Sequence, residues 1–243
     1  MYIKKPFQNP ILLAIETATS VCSVALLNGE HVLNEVTEVT KRRHNETLPG
    51  IVDQVLVGSG VEQRDIDVIA VSIGPGSFTG LRVGLSFAKG LALGVDAVIV
   101  PVMTLDGLAH KMKAVMEKTN KMDYSLYPLT VARRNEVFGH CYEVVEDGVQ
   151  AVGDVFLGDA EYLKKDVSGN VVIGGEGADA LKDQLDLDNS NMIYLPQLQA
   201  SAASIGLIGL NIWLTQRATI PSPYDLEPLY LKEFTVRKQG SGH

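Results

Sequence analysis

The chain has 243 residues, 46% of them hydrophobic and 21% charged, with a formal net charge of −8 at pH 7. This length and composition predict a globular protein with a sizeable buried core, built as one large domain or two small ones. The negative charge argues against independent binding to a nucleic-acid backbone.

Neither end of the chain suggests targeting to a membrane. Residues 1–10 are polar and lack the apolar core of a signal peptide, and no window approaches the roughly 18 consecutive apolar residues of a membrane span. We therefore expect a cytoplasmic protein that does not cross a membrane. Cys22 and Cys141 lie in apolar segments without metal-binding spacing, which is typical of buried reduced thiols. Residues 240–243 resemble the remnant of a purification tag.

The first hundred residues predict three strands followed by alternating helices and strands. The strands are expected at 11–15, 21–27 and 32–39, with a hairpin signal at Asn28-Gly29. Helices are expected at 48–56, at 81–93 and from residue 105 onward with Thr104 as N-cap, and strands at 68–73 and 97–100.

The rest of the chain repeats this plan with weaker signals. A hairpin is expected at 126–132 and 137–144, followed by a strand at 171–173, a short helix and a long helix at 200–214. Prolines after Arg217 predict an extended tail. The repetition predicts an α/β protein with two similar lobes, an N-terminal lobe at 1–104 and a C-terminal lobe with the tail at 105–243.

A glycine-rich loop lies between the strand at 68–73 and the next helix. Its notable residues are Gly74, Pro75, Gly76, Ser77 and Thr79. Glycines at a helix N-terminus can leave backbone N–H groups open to an anion. The other interpretation is a tight turn with Ser77 or Thr79 as N-cap, and a Walker A loop is excluded because no Lys-Ser/Thr pair follows.

The helix after this loop is apolar on most sides. Small residues recur at four-residue spacing, and larger apolar ones form a second stripe. Such a helix is either sandwiched within one lobe or packed against a second subunit. We predict an interface formed by this helix and the one before it, through Leu48, Ile51, Val52, Val55, Gly80, Leu81, Gly84, Leu85, Ala88 and Leu91.

The turn after the first strand carries one carboxylate, Glu16, with Thr17 and Thr19. In an actin-like fold a carboxylate at this place could hold a metal-bound nucleotide, and Gly174-Gly175 of the second lobe could approach an adenosine or form an ordinary turn. The matching turn of the second lobe has Val131 and no carboxylate. An acid is thus present at the turn of the first lobe and missing from the turn of the second, and no general base is near. We therefore expect a vestigial nucleotide site and no catalytic residues.

Asp106 and His110 are spaced to share one side of a helix. A zinc site needs three or four ligands, and no second histidine follows at Ala114. We therefore expect a surface Asp–His pair and no bound metal.

Taken together, these residues resemble the TsaB (YeaZ) family, whose members act in making threonylcarbamoyladenosine in bacterial tRNA. The resemblance is dense from 11 to 108, is most specific at 66–71, 74–84 and 88–90, and is weaker at 132–138 and 227–232. It implies an actin/hexokinase-like ATPase fold (ASKHA, ribonuclease H-like) and helices that pair with a catalytic paralogue, TsaD. It also implies a third component, TsaE, and contact with tRNA only through the complex.

The family usually has Asp where Glu16 and Val131 stand, and the chain lacks TsaD's histidine metal motif at 106–110. The resemblance thus implies a non-catalytic subunit that homodimerises alone, binds no cofactor tightly and meets ATP or ADP only within the complex. The alternatives are a free-standing actin-fold ATPase or metallopeptidase, and a homodimeric scaffold for another partner.

Overall fold

The computed structural model describes residues 9–40, 43–119, 123–133, 135–146, 148–166, 169–185 and 191–230. The first part of the chain forms β1 (Ile11–Glu16), β2 (Val21–Asn28), β3 (His31–Val39), α1 (His44–Ser59), β4 (Val68–Ser72), α2 (Phe78–Val95), β5 (Val98–Val102) and α3 (Thr104–Met116). The second part forms β6 (Ser125–Arg133), β7 (Glu136–Val145), β8 (Gly148–Gly158), α4 (Ala160–Asp166), β9 (Val171–Gly174), α5 (Glu176–Leu181), β10 (Met192–Leu195) and α6 (Ala202–Thr215).

The strands form two five-stranded sheets with the same topology. The first has the order β3-β2-β1-β4-β5, and the second has the order β8-β7-β6-β9-β10. In each sheet the first three strands are antiparallel, and the last two run parallel to the first. This duplication is the actin/hexokinase-like arrangement of two lobes that the sequence predicts.

The helices bury both faces of the first sheet. On one face, β1 side chains such as Leu13 and Ile15 pack with apolar residues of α1 and α2. On the other face, Leu12 and Ala14 pack under α6. Side chains alternate between the two faces of a strand, and both faces are covered here. The whole of β1 is therefore buried, and its sequence is almost continuously apolar.

α3 packs between α6 and the second sheet, where Leu105 and Leu108 meet Tyr142 and Val172. The far face of the second sheet is covered by α4 and α5, through Leu163 and Leu181. The layers therefore run from α1 and α2 through the first sheet, α6 and α3, and the second sheet to α4 and α5.

The predicted strands and long helices are confirmed, with ends that differ by a few residues. The sequence prediction missed three elements and misplaced one helix cap. It missed β8, whose side chains are exposed or half-buried except for Val155 and therefore lack an alternating apolar pattern, and it missed the short elements α4 and β10. The N-cap of α3 is Met103 and not Thr104, because Thr104 is already the first helical residue. The Thr104 N–H donates to the Gly74 carbonyl (2.8 Å).

No helix among the described residues is long and apolar enough to span a bilayer. Four features of the sequence lie outside the described residues: the tag-like residues 240–243, the end of the tail, the basic pair Lys41-Arg42, and Arg134 between the two strands of the predicted hairpin.

Candidate functional site

The carboxyl group of Glu16 lies fully buried at the end of β1. Its Oε1 accepts a hydrogen bond from Ala18 N–H (2.5 Å), while its Oε2 has no partner among the described residues. Burial raises the pKa of Glu16 to about 7, with a smaller upward contribution from the charge of Glu176. A substantial part of this carboxyl is therefore protonated at neutral pH.

The glycine-rich loop packs directly on the turn that follows Glu16. Ser77 N–H donates to the Ala18 carbonyl (2.7 Å), and the Thr17 hydroxyl donates to the Gly80 carbonyl (2.9 Å). A Cβ at Gly80 would overlap the Thr17 carbonyl oxygen, so only glycine permits this approach.

Ser77 is the N-cap of α2, since its Oγ accepts from Gly80 N–H (3.2 Å). Two of the loop's backbone donors, Ser77 N–H and Gly80 N–H, are therefore used within the protein, and Ser77 caps the helix as in the tight-turn interpretation. Its backbone also touches the second lobe, because the Thr130 hydroxyl donates to the Pro75 carbonyl (3.4 Å).

The turn between β9 and α5 faces Glu16 from the second lobe. Gly175 is the N-cap of α5 and has φ +97°, and a Cβ there would overlap the Leu129 carbonyl oxygen. Glu176 Oε1 accepts from Ser20 N–H (2.5 Å) and from the Ser20 hydroxyl. This contact, here called the Ser20–Glu176 bridge, joins the two lobes across the cleft.

Two further predicted nucleotide residues pack within the protein, although the Thr19 hydroxyl has no hydrogen-bond partner among the described residues. Thr19 is buried and its carbonyl lies 3.0 Å from His44 Nε2, which holds the turn against α1. Gly174 packs against Leu198. Val131 is 39% exposed on β6, so no carboxylate faces Glu16 from that strand.

Glu16 and Glu176 present two carboxyl groups to one cleft, and both are engaged by backbone N–H donors. Within the described ranges, no group of three or more His, Cys, Asp or Glu side chains could hold a metal ion.

The ten predicted interface residues lie in the core of the chain's own lobe. All are buried: Leu48, Ile51, Val52, Val55, Gly80, Leu81, Gly84, Leu85, Ala88 and Leu91. The small-residue stripe exists because Gly80 and Gly84 fit against Thr17, not against a second helix. For these side chains the expectation of a subunit surface was wrong, and the within-lobe alternative is correct.

The outer faces of α1 and α2 carry isolated apolar side chains that no other described residue buries. Val57 of α1 is 82% exposed and Leu93 of α2 is 79% exposed. The two helices pack side by side, so their outer faces form one surface. We call it the outer helix surface.

The described part of the tail runs along α2 next to this surface. Lys89 Nζ donates to the Leu226 carbonyl (2.8 Å), and Leu229 N–H donates to the Ile73 carbonyl (2.7 Å). Tyr230 packs on Phe78, and its hydroxyl accepts from Arg82 Nε (2.8 Å). The sequence places the tail on the surface but gives no sign of these contacts.

Asp106 and His110 do not form the expected surface pair. Asp106 Oδ1 accepts from the Tyr142 hydroxyl (2.6 Å), and His110 Nδ1 lies 3.3 Å from Ser204 Oγ. Both residues are partly buried between α3, α6 and β7. The residue spacing predicted their common side of α3 but not these partners, which come from distant parts of the chain.

The Ser20–Glu176 bridge was also missed by sequence reasoning, because its residues are 156 positions apart. What the sequence does show is an acidic residue, Glu176, directly after Gly174-Gly175, the two glycines predicted to approach a nucleotide.

Residues 31–206 of the chain match the model of the protein family TsaD, tRNA N6-adenosine threonylcarbamoyltransferase. The chain is similar to the tRNA threonylcarbamoyladenosine biosynthesis protein TsaB of Haemophilus influenzae, with 37% identity over 132 residues, 54% of this chain and 53% of that protein. It is also similar to TsaB of Escherichia coli, with 43% identity over 99 residues, 41% of this chain and 42% of that protein. The matches thus span about half the length of these curated relatives.

Among solved structures, YeaZ from Pseudomonas aeruginosa superposes with a TM-score of 0.75, covering 91% of this chain and 100% of that chain at 24% identity. This likeness concerns the fold, which extends through both lobes.

Proposed function

Because the chain belongs to the family of the TsaD model and within it to the TsaB (YeaZ) group, we propose that it is a non-catalytic subunit in threonylcarbamoyladenosine synthesis on tRNA. It pairs with and supports a catalytic TsaD-like paralogue, together with a TsaE-like ATPase, in the cytoplasm. Contact with tRNA comes through this complex. In the absence of its partners the chain forms a homodimer. In the complex, the TsaD-like paralogue takes the place of the second copy at the same surface.

The observation that carries the non-catalytic role is the state of the cleft. The Ser20–Glu176 bridge joins the lobes where a nucleotide would enter, and buried Glu16 has a raised pKa that disfavours the ionised form a metal requires. The glycine-rich loop uses Ser77 N–H and Gly80 N–H inside the protein. Any ATP or ADP in this system is therefore bound with the help of the partner proteins.

The outer helix surface is the proposed pairing surface. Val57 and Leu93 are large apolar side chains on neighbouring helices, and each exposes about four-fifths of its area to solvent. Apolar anchors within a polar rim are typical of protein interfaces. A self-complementary patch of this kind gives a two-fold homodimer, and a paralogue of similar fold can replace one copy.

The test measures the mass of the full chain by light scattering, alone and mixed with its TsaD-like paralogue. The Val57→Glu/Leu93→Glu double variant should keep the wild-type circular dichroism spectrum and lose both assemblies, because burying two unpaired carboxylates costs about 3 kcal/mol or more. The control is Val152→Glu, which changes an exposed valine on β8. Full pairing by the double variant would contradict the proposal.

A further inference from the structure

A cavity lies where α3, α6 and the β7–β8 hairpin meet, and none of the residues that line it belongs to the Ser20–Glu176 bridge. Its volume is about 640 Å³, within the roughly 300–1,000 Å³ of small-molecule sites. Residues from four separate parts of the chain line it, including Glu30 of the turn after β2. No part of the proposed pairing function depends on this cavity.

One wall of the cavity is apolar and comes from α6. Leu207, Ile208, Leu210 and Leu214 all line it. Leu214 is 61% exposed, and Leu207 and Ile208 are only partly buried. This wall therefore retains apolar surface that a ligand could remove from water.

The carboxyl group of Asp106, on α3, also lines the cavity. The Tyr142 hydroxyl donates to its Oδ1 at 2.6 Å. Burial is the main cause that raises the pKa of Asp106, so its charge is poorly solvated. Among the described residues, no lysine or arginine forms an ion pair with it, although buried charges are usually paired.

The other polar groups at the cavity supply no positive charge. Burial, followed by the charge of Lys113, lowers the pKa of His110, which favours a neutral imidazole. Its Nδ1 is engaged with Ser204, whereas Glu30 adds a second carboxylate. None of the described residues that line the cavity is a lysine or an arginine.

We propose that this cavity binds a small organic ammonium ion, whose positive nitrogen pairs with Asp106 and whose apolar body lies on α6. The carboxylate would gain an ion-pair partner, which it lacks among the described residues. The apolar wall would be covered by the same ligand. An anionic ligand of equal size would face Asp106 and Glu30 and be repelled.

The test is isothermal titration calorimetry of the full chain with tryptamine, and with indole-3-propionate as the matched anion. Tryptamine should bind saturably and indole-3-propionate should not. Asp106→Asn keeps an acceptor for Tyr142 and should weaken tryptamine binding about tenfold or more, because a hydrogen bond to a charged group is lost.

A second pair of variants tests the cavity itself. Ala151→Trp should abolish binding by filling the cavity that Ala151 lines. Val152→Trp lies one residue further along β8, outside the lining, and should bind as wild type. This pair decides the outcome even if Asp106→Asn does not fold. Absence of saturable tryptamine binding up to about 10 mM, equal binding of the anion, or wild-type binding by a folded Asp106→Asn or Ala151→Trp protein would overturn the proposal.

Discussion

At the scale of single residues, Glu16 is where burial and charge conflict most. Its carboxyl is fully buried with one oxygen unpartnered, and its pKa rises from the ordinary 4.5 to about 7. The folded chain therefore holds a proton on Glu16 that the unfolded chain releases between those pH values. The contribution that this proton makes to the free energy of unfolding is fully present below about pH 4.5, and it is lost as the pH rises through about 7.

We predict that Glu16→Gln removes this pH dependence. Between about pH 5 and pH 8 the wild type should lose free energy of unfolding on the order of 3 kcal/mol more than the variant. Urea unfolding at a series of pH values measures the difference. Glu161→Gln, at an exposed position of α4, is the control and should follow the wild type. A parallel decline in Glu16→Gln and wild type would mean that Glu16 is ionised throughout.

At the scale of elements, α2 shows why a sequence pattern can be read correctly and assigned to the wrong neighbour. Its small-residue stripe does mark a close approach, but the approaching backbone is the turn at Thr17. Periodicity records how much of a helix is buried and not what buries it. The partner is 63 residues away along the chain, and its position depends on how the first sheet is assembled.

The same limit explains what else could and could not be predicted. Local signals placed β1 to β5 and the long helices, because each has its own periodicity or turn residues. The exposed strand β8 has no such signal. The Asp106–Tyr142 contact arises only when α3 packs on the second sheet, and the Ser20–Glu176 bridge only when the two lobes come together.

Two glycines of α2 give opposite predictions. Gly80→Ala should lower the free energy of unfolding by about 1–3 kcal/mol, because the new methyl group overlaps the Thr17 carbonyl. Gly90→Ala should raise it by about 0.5–1 kcal/mol, because nothing lies within 4 Å and alanine favours the helix. Thermal and urea unfolding of both variants provide the measurement, and similar effects at the two positions would contradict the packing described for α2.

At the scale of the whole molecule, the last helix completes the first lobe. α6 covers the face of the first sheet that carries Leu12, Ala14 and Val68. Its N-terminus is anchored there because Glu35 Oε1 accepts from Ser201 Oγ (2.7 Å) and Ala203 N–H (3.0 Å). The first lobe therefore depends on residues nearly 100 positions beyond its own sheet.

We predict that a fragment of residues 9–104 does not fold, since without α6 the buried apolar face of its sheet would meet water. The measurement is circular dichroism with heating, compared with the full chain under the same conditions. A cooperative transition in the fragment would show that α6 is dispensable for the first lobe.

We propose that the chain supports threonylcarbamoyl transfer without performing it. The most direct measurement is threonylcarbamoyladenosine formed on tRNA by the TsaD-like and TsaE-like proteins, with and without this chain. We predict product only when the chain is present, full support by a folded Glu16→Gln protein, and loss of support by Val57→Glu/Leu93→Glu. Product in the absence of the chain, or loss of product in a folded and paired Glu16→Gln protein, would contradict the account.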